Sequence, residues 1–205
     1  MNRKVILIHG AGRGLGRILA EALTRHGAAV AANDLSPITL DWTQALQAEG
    51  YAVRAYTEDP TRKIVAQALV KQVEDEWGRI DVLIHVAAIA PRASLLELDE
   101  WDWHRSLDLN LSAAFLLIQS VGRIMRQQGN GLILLLLSLD HTQAPQHPAF
   151  FIAQMGLWGL AAQARQELAS YGIQVEMLSE SPPRLPDLPA TPPSLLDDIL
   201  ERIGR

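Results

Sequence analysis

The chain has no cysteine in its 205 residues, which excludes a disulfide framework and a thiolate metal site and points to a cytoplasmic setting. Lysine and tyrosine are scarce. No lysine follows Lys71, and the only tyrosines are Tyr51, Tyr56 and Tyr171, so no tyrosine has a lysine four residues after it. Positive charge is not in excess: the formal net charge is −5 and the pI about 5.6, which argues against non-specific nucleic-acid binding. Apolar runs such as residues 132–137 are far too short to span a bilayer, and the start of the chain lacks a signal-peptide pattern. No metal-ligand spacing is present.

The most informative stretch lies at the start. Residues 4–9 read as a short buried strand. Gly10-Ala11-Gly12-Arg13-Gly14-Leu15-Gly16 follows as a glycine-rich turn, and residues 17–26 read as a helix with Ile18, Leu19, Ala22 and Leu23 on its apolar face. Strand, glycine turn and helix together make a phosphate-binding device. Glycines let the backbone turn tightly and approach a ligand, and the helix N-terminus offers N–H groups to a pyrophosphate. Residues 28–33 read as a second strand ending at Asp34, where a dinucleotide fold holds the adenine ribose hydroxyls. A carboxylate there favours NAD over NADP. Arg13 pulls the other way, as a cation that could pair with a 2′-phosphate; we weight Asp34 more heavily.

Further along, helices are expected at 38–49 and 60–77, and strands at 51–56 and 81–86. Two helices, 98–107 and 111–127, are expected to separate around Asn110. A fifth strand at 132–137, a helix at 150–170 and a sixth strand at 173–178 complete the alternation. Such β-α alternation with apolar strands predicts an α/β, Rossmann-like, doubly wound parallel sheet of about six strands with helices on both faces. We divide the chain into a domain at 1–181 and a tail at 182–205. The tail contains six prolines between Pro182 and Pro193, an extended connector, and a short helix at 195–203.

These motifs resemble the short-chain dehydrogenase/reductase family over almost the whole chain. The glycine turn is similar to that family's Thr-Gly-x-x-x-Gly-x-Gly, with His9 in the threonine position. Gly78-Arg79-Ile80-Asp81-Val82-Leu83-Ile84, the Asn110-Leu111 helix start, Gly131 leading to Ser138, Gly156-Leu157-Trp158-Gly159-Leu160 and Gly172-Ile173-Gln174-Val175 match as well. The resemblance implies an NAD(P) site that includes Gly10, Arg13, Gly14, Leu15, Gly16, Asp34 and Ala87. It also implies a catalytic set of Asn, Ser, Tyr and Lys. Tyrosine moves the proton, lysine lowers its pKa from about 10 and holds the nicotinamide ribose, serine bonds the substrate oxygen and asparagine positions the lysine.

Asn110 and Ser138 keep two of these four positions. Phe151 stands where tyrosine is needed and Met155 where lysine is needed. Phenylalanine has no proton to give, and methionine has no charge. Other departures run the same way. The family's Asn-Asn-Ala-Gly is His85-Val86-Ala87-Ala88, an acid near the adenine corresponds to Tyr56, which would stack on the base instead, and the Pro-Gly over the nicotinamide is Glu180-Ser181. The family's last strand is missing. The expectation is a catalytically inactive relative with a binding or structural role, NAD bound weakly or not at all, NADP less favoured still. It would form a homodimer through helices 111–127 and 150–170, with Trp158 at that interface. The alternative is an NAD(P)-dependent oxidoreductase acting on an alcohol or carbonyl with altered acid–base residues such as His141 or His147. A Ser138, Asp140 and His141 hydrolase is disfavoured for lack of a nucleophile elbow. His85 reads as a satisfied strand-end histidine, Asn110 as either a relic or a backbone-bonding residue, and Trp101 and Trp103 as core.

Overall fold

The computed structural model describes residues 4–137, 146–179 and 195–204. The expectations at Ser138, Asp140, His141, Glu180, Ser181 and the prolines of 182–193 lie outside the described residues.

Six strands, β1 (Val5–His9), β2 (Ala29–Asn33), β3 (Val53–Tyr56), β4 (Val82–His85), β5 (Gly131–Leu137) and β6 (Ile173–Ser179), form one sheet in the order β3-β2-β1-β4-β5-β6. Every neighbouring pair is parallel. Strands apolar on both sides demand cover on both sides, and all five residues of β1 and all four of β4 are buried. Alternate residues feed two cores. On one face Leu7, Leu83, Ile133 and Leu135 pack with Leu69 and Val73 of α3 (Lys63–Trp77), Leu117 and Val121 of α5 (Ala113–Gln128) and Leu157 of α6 (Pro148–Leu168). On the other, Ile6, Ile8, Val30 and Ile84 pack with Leu19 and Leu23 of α1 (Gly14–Arg25), Trp42 and Leu46 of α2 (Ile38–Ala48), and Ile199 and Ile203 of α7 (Leu195–Gly204).

α7 is held at its end as well as along its apolar side. Lys4 donates its ammonium to the carbonyl of Ile203 at 2.6 Å, a cation at a helix C-terminus. Arg202 pairs with Glu176 of β6 and with Asp198 one turn earlier.

Three boundaries differ from expectation for local reasons. α1 is bounded at Gly14, which keeps a left-handed φ of +54°, so Leu15 and Gly16 at the end of the turn lie within the first turn of the helix. α3 begins at Lys63, because Asp59 accepts hydrogen bonds from the Thr61 N–H and hydroxyl and keeps residues 59–61 in a turn. The expected break at Asn110 is absent. α4 (Glu100–Leu107) runs into α5 through a single wide π turn, Asp108–Ser112. The resulting helix, Glu100–Gln128, reaches a mean hydropathy of 1.2 in an 18-residue window, and half of that window is buried inside the protein, as befits a core helix.

The strand order reverses direction between β1 and β4. The crevice at their carboxyl ends is where an open α/β sheet takes a ligand.

Candidate nucleotide site at the sheet's switch point

β1 delivers the chain into the glycine turn at this crevice. The N–H groups of Gly10 and Ala11 both bond the Asn33 carbonyl, at 2.8 and 3.0 Å, which ties the turn to the end of β2. Two glycines are required by contact. A Cβ on Gly10, whose φ is +98°, would lie 2.4 Å from the Ala87 nitrogen, and one on Gly16 would lie 2.0 Å from the Gly10 carbonyl oxygen. The turn is therefore folded against itself and against the β4 exit. α1 opens with no side-chain cap and no acid in its first turn, so the amides expected to lack intrahelical partners face outward unopposed. Leu15 and Gly16 lie in that first turn, and Arg13 and Gly14 are exposed at its edge.

Asp34 directly follows β2 and reaches back to the glycine turn. Its carboxylate accepts from the Gly12 N–H at 2.9 Å and from the Ser36 N–H at 2.8 Å. A Cβ on Gly12 would collide with it. Each oxygen thus spends one lone pair on the backbone and keeps another for a ligand hydroxyl. Asn33, fully buried, donates to the carbonyls of Tyr56 and Glu58 and so fixes the segment after β3.

Tyr56 must be corrected. Its ring is turned into the core below the sheet, 2% exposed, and its hydroxyl bonds Glu76 and receives the Trp77 indole N–H. Burial and the Glu76 carboxylate push that phenol well above its usual range. It cannot stack on an adenine. The acids that follow β3 are Glu58 and Asp59 instead.

Asn110 bonds the backbone after the fourth strand. Its amide donates to the Ile89 carbonyl at 2.8 Å and to Ser106, and its Oδ1 accepts from the Ile89 N–H at 3.0 Å. The π turn holds the residue that makes this clamp, a setting in which π bulges recur.

One pair went unforeseen. His9 and His85 end two neighbouring strands in matched register, and their Nδ1 atoms are 2.9 Å apart in the interior. Burial, and for His9 also its neighbour, pushes both imidazoles down; His85 falls to about 4, although the Asn110 backbone opposes the shift. Both are neutral near pH 7, and one Nδ1–H donates to the other. His85 is satisfied at Nδ1, and among the described residues its Nε2 has no partner in hydrogen-bond geometry, although the Asn110 backbone lies near enough to act on the ring. Sequence could not show this, because the pair spans 76 positions and exists only through the register of β1 with β4.

Phe151 and Met155, one turn apart on α6, pack against the apolar core. Gly156 brings α6 close to Leu111 of the π turn. His147, just before α6, bonds the Pro91 carbonyl through Nδ1 at 3.1 Å, and Ala93 donates to the Gln146 carbonyl, so the loop after β4 is moored to the start of α6. Among the described residues no three His, Cys, Asp or Glu side chains gather as a metal site.

Next to the first turn of α1, the described residues of the crevice are mostly apolar. Leu15, Val86, Ala88, Leu136, Leu137, Leu178 and Leu195 line a cavity of about 160 Å³, with the buried amide of Gln154. Among the described residues, the glycine turn and Asp34 offer backbone amides and a carboxylate to an adenosine diphosphate. A second groove, of about 300 Å³, runs between the outer faces of α5 and α6 past Phe115, Arg126, Leu160 and Tyr171. Trp158 packs on the core, whereas Trp101 is 66% exposed beneath Arg105, contrary to a core reading.

Comparison with known proteins agrees with this geometry. Residues 4–182 match the family model described as short chain dehydrogenase. The chain is 34% identical over 181 residues to D-threitol dehydrogenase of Mycolicibacterium smegmatis, covering 87% of this chain and 70% of that one. It is 31% identical over 182 residues to the 3-oxoacyl-[acyl-carrier-protein] reductase of Staphylococcus epidermidis, covering 86% and 73%. Among solved structures, a gluconate 5-dehydrogenase from Burkholderia cenocepacia in complex with NADP and tartrate superposes with a TM-score of 0.81 at 29% identity, covering 87% of this chain and 71% of that one. NAD+-bound xylitol dehydrogenase gives 0.82 at 28%, covering 87% and 70%.

Proposed function

Because this chain belongs to the short-chain dehydrogenase family, we propose that it is a member that has kept the adenine half of the nucleotide site and lost the hydride-transfer chemistry. The observation that carries the reading is the pair Phe151 and Met155. These two side chains occupy the positions of the proton donor and its lysine, and both pack into the core. No proton can be moved by a phenyl ring, and no cation stands on that turn to lower a neighbour's pKa. NAD is the preferred dinucleotide because Asp34 is held by two backbone amides where it can accept ribose hydroxyls and repel a 2′-phosphate. Binding is weak, because Met155 has no charge to hold a nicotinamide ribose. The protein works in the cytoplasm as a binding or structural component. Its homodimer uses the α5–α6 groove, where Phe115 and Tyr171 are 47% and 41% exposed.

The test is an absorbance assay for reduced nicotinamide with threitol, xylitol, gluconate and a 3-oxoacyl thioester, each with NAD and NADP in the appropriate redox form. The expected result is no turnover, alongside measurable binding of ADP-ribose by calorimetry. Robust turnover that disappears in Ser138→Ala would refute the reading. Turnover with a pH profile set by a histidine, and lost in His147→Phe, would favour an oxidoreductase with substituted acid–base groups.

A further inference from the structure

We propose that Asn130 is a site of spontaneous covalent modification. Its side-chain amide is lost through a cyclic imide formed with the Gly131 nitrogen, and part of the product carries isoaspartate in the backbone. The site is independent of the nucleotide crevice: Asn130 lies at the entry to β5, whereas the crevice lies at the carboxyl ends of the strands.

Three asparagines lie among the described residues, and they differ in their freedom to react. Asn33 and Asn110 are fully buried. Asn33 donates to the carbonyls of Tyr56 and Glu58, and the N–H that follows it, on Asp34, is spent on the Tyr56 carbonyl. Asn110 is bonded to Ile89 and Ser106, and the branched Leu111 follows it. Neither carboxamide can swing toward the next backbone nitrogen without breaking those bonds. Asn130 is exposed, and its amide makes one long hydrogen bond, 3.3 Å from Nδ2 to the Gln128 carbonyl. The residue after it is Gly131, which has no Cβ to obstruct approach to its nitrogen and accepts backbone angles closed to other residues. Gly129, on the other side, is the left-handed cap of α5 and is exposed as well, so water reaches the turn.

The step needs water alone. The Gly131 nitrogen, its proton taken by hydroxide, forms a bond to the Asn130 Cγ. The Cγ–Nδ2 bond breaks, and ammonia leaves with a proton from water. Nothing is oxidised or reduced. Nucleophile and carbonyl carbon belong to adjacent residues, so the ring closes within one molecule. Water then opens the imide at Cγ to give aspartate, or at the main-chain carbonyl to give isoaspartate. In sum one water is taken up and one ammonia released. Either product puts a carboxylate just past the C-terminus of α5, where the helix dipole disfavours it. Isoaspartate also adds a carbon to the backbone between two anchors. Gln128 is bonded through its side chain to both backbone groups of Ile80, and Leu132 donates to the Asp81 carbonyl. The Gly129 carbonyl between them is packed so closely on the entry to β6 that a Cβ on Gly172 would lie 2.3 Å from it. The longer backbone has little room there, so isoaspartate weakens the start of β5.

The experiment keeps the full chain at pH 8 and 37 °C and follows its peptides by mass spectrometry, with fragmentation that separates isoaspartate from aspartate. Asn130 should lose its amide about tenfold or more faster than Asn33 and Asn110, and both isoaspartate and aspartate should form there. Asn130→Gln, whose side chain would have to close a larger ring, should stay unmodified at that position over the same period and keep the thermal midpoint of the fresh protein. The isoaspartate form, isolated by chromatography, should melt below Asn130→Asp. Loss at Asn130 no faster than at Asn33 and Asn110, or aspartate there without isoaspartate, would overturn the proposal.

Discussion

The buried histidine pair makes the protein sensitive to acid in a calculable way. His85 has its pKa lowered to about 4, chiefly by burial, against an ordinary value of 6.5, and His9 is lowered as well by burial and by His85. The unfolded chain binds a proton at His85 below pH 6.5, whereas the folded protein resists it until about pH 4. Stability is therefore unaffected above the ordinary value and falls as pH drops through the window between the two. For His85 alone the full cost is about 3 kcal/mol, of which about 2 kcal/mol is lost by pH 5. His9 adds in the same direction. With a urea m-value of about 2 kcal/mol/M, the midpoint should move down by roughly 1 M between pH 7.5 and pH 5. The comparison variant is His9→Thr with His85→Asn, which places threonine and asparagine at the two strand ends and keeps a side-chain pair there. Its midpoint should move by at least 0.5 M less, on the order of half the linkage effect. Urea titrations monitored by tryptophan fluorescence measure both. An equal acid shift in the protein and the double variant would refute the argument.

Asn110→Ala should cost about 1–3 kcal/mol, because it removes the partners of the part-buried N–H and carbonyl of Ile89 together; thermal melting at pH 7.5 measures this, and Asn110→Asp should recover only part of it. Gly16→Ala, whose Cβ would lie 2.0 Å from the Gly10 carbonyl, should abolish ADP-ribose binding in calorimetry while far-UV circular dichroism stays native. Arg202→Met should loosen α7 by removing the pairs with Glu176 and Asp198, seen as faster amide exchange across residues 195–204 with the rest of the sheet unchanged.

The parts of the site that the sequence disclosed are those carried by local pattern. The glycine turn, Asp34 and the alternation of apolar strands with helices lie in short stretches whose chemistry is self-announcing. Phe151 and Met155 were legible for a different reason: the chain contains no Tyr-x-x-x-Lys at any register. What escaped is long-range. Asn110 suggested a helix break because its side chain competes with the backbone, but that competition is diverted to Ile89, 21 positions away, and the helix continues through a π turn. Tyr56 lies at the end of a strand, where one residue of phase decides between ligand and core, and Glu76 and Trp77 decide for the core. The histidine pair and the mostly apolar lining described for the crevice depend on which strands become neighbours.

The Lys4–Ile203 bond has a topological corollary. The first described residue and the last helix meet at 2.6 Å, so the described chain closes almost into a ring. A linker of a few residues would join those ends at little entropic cost. The ring could then be cut at the Ser94–Glu97 turn, whose leucine tips, Leu95 and Leu96, are 70% and 97% exposed, and whose flanks stay anchored through Asn110 on one side and the Asp99 cap of α4 on the other. Circular permutation there would place new termini at the mouth of the crevice side of the sheet and leave every strand pairing intact.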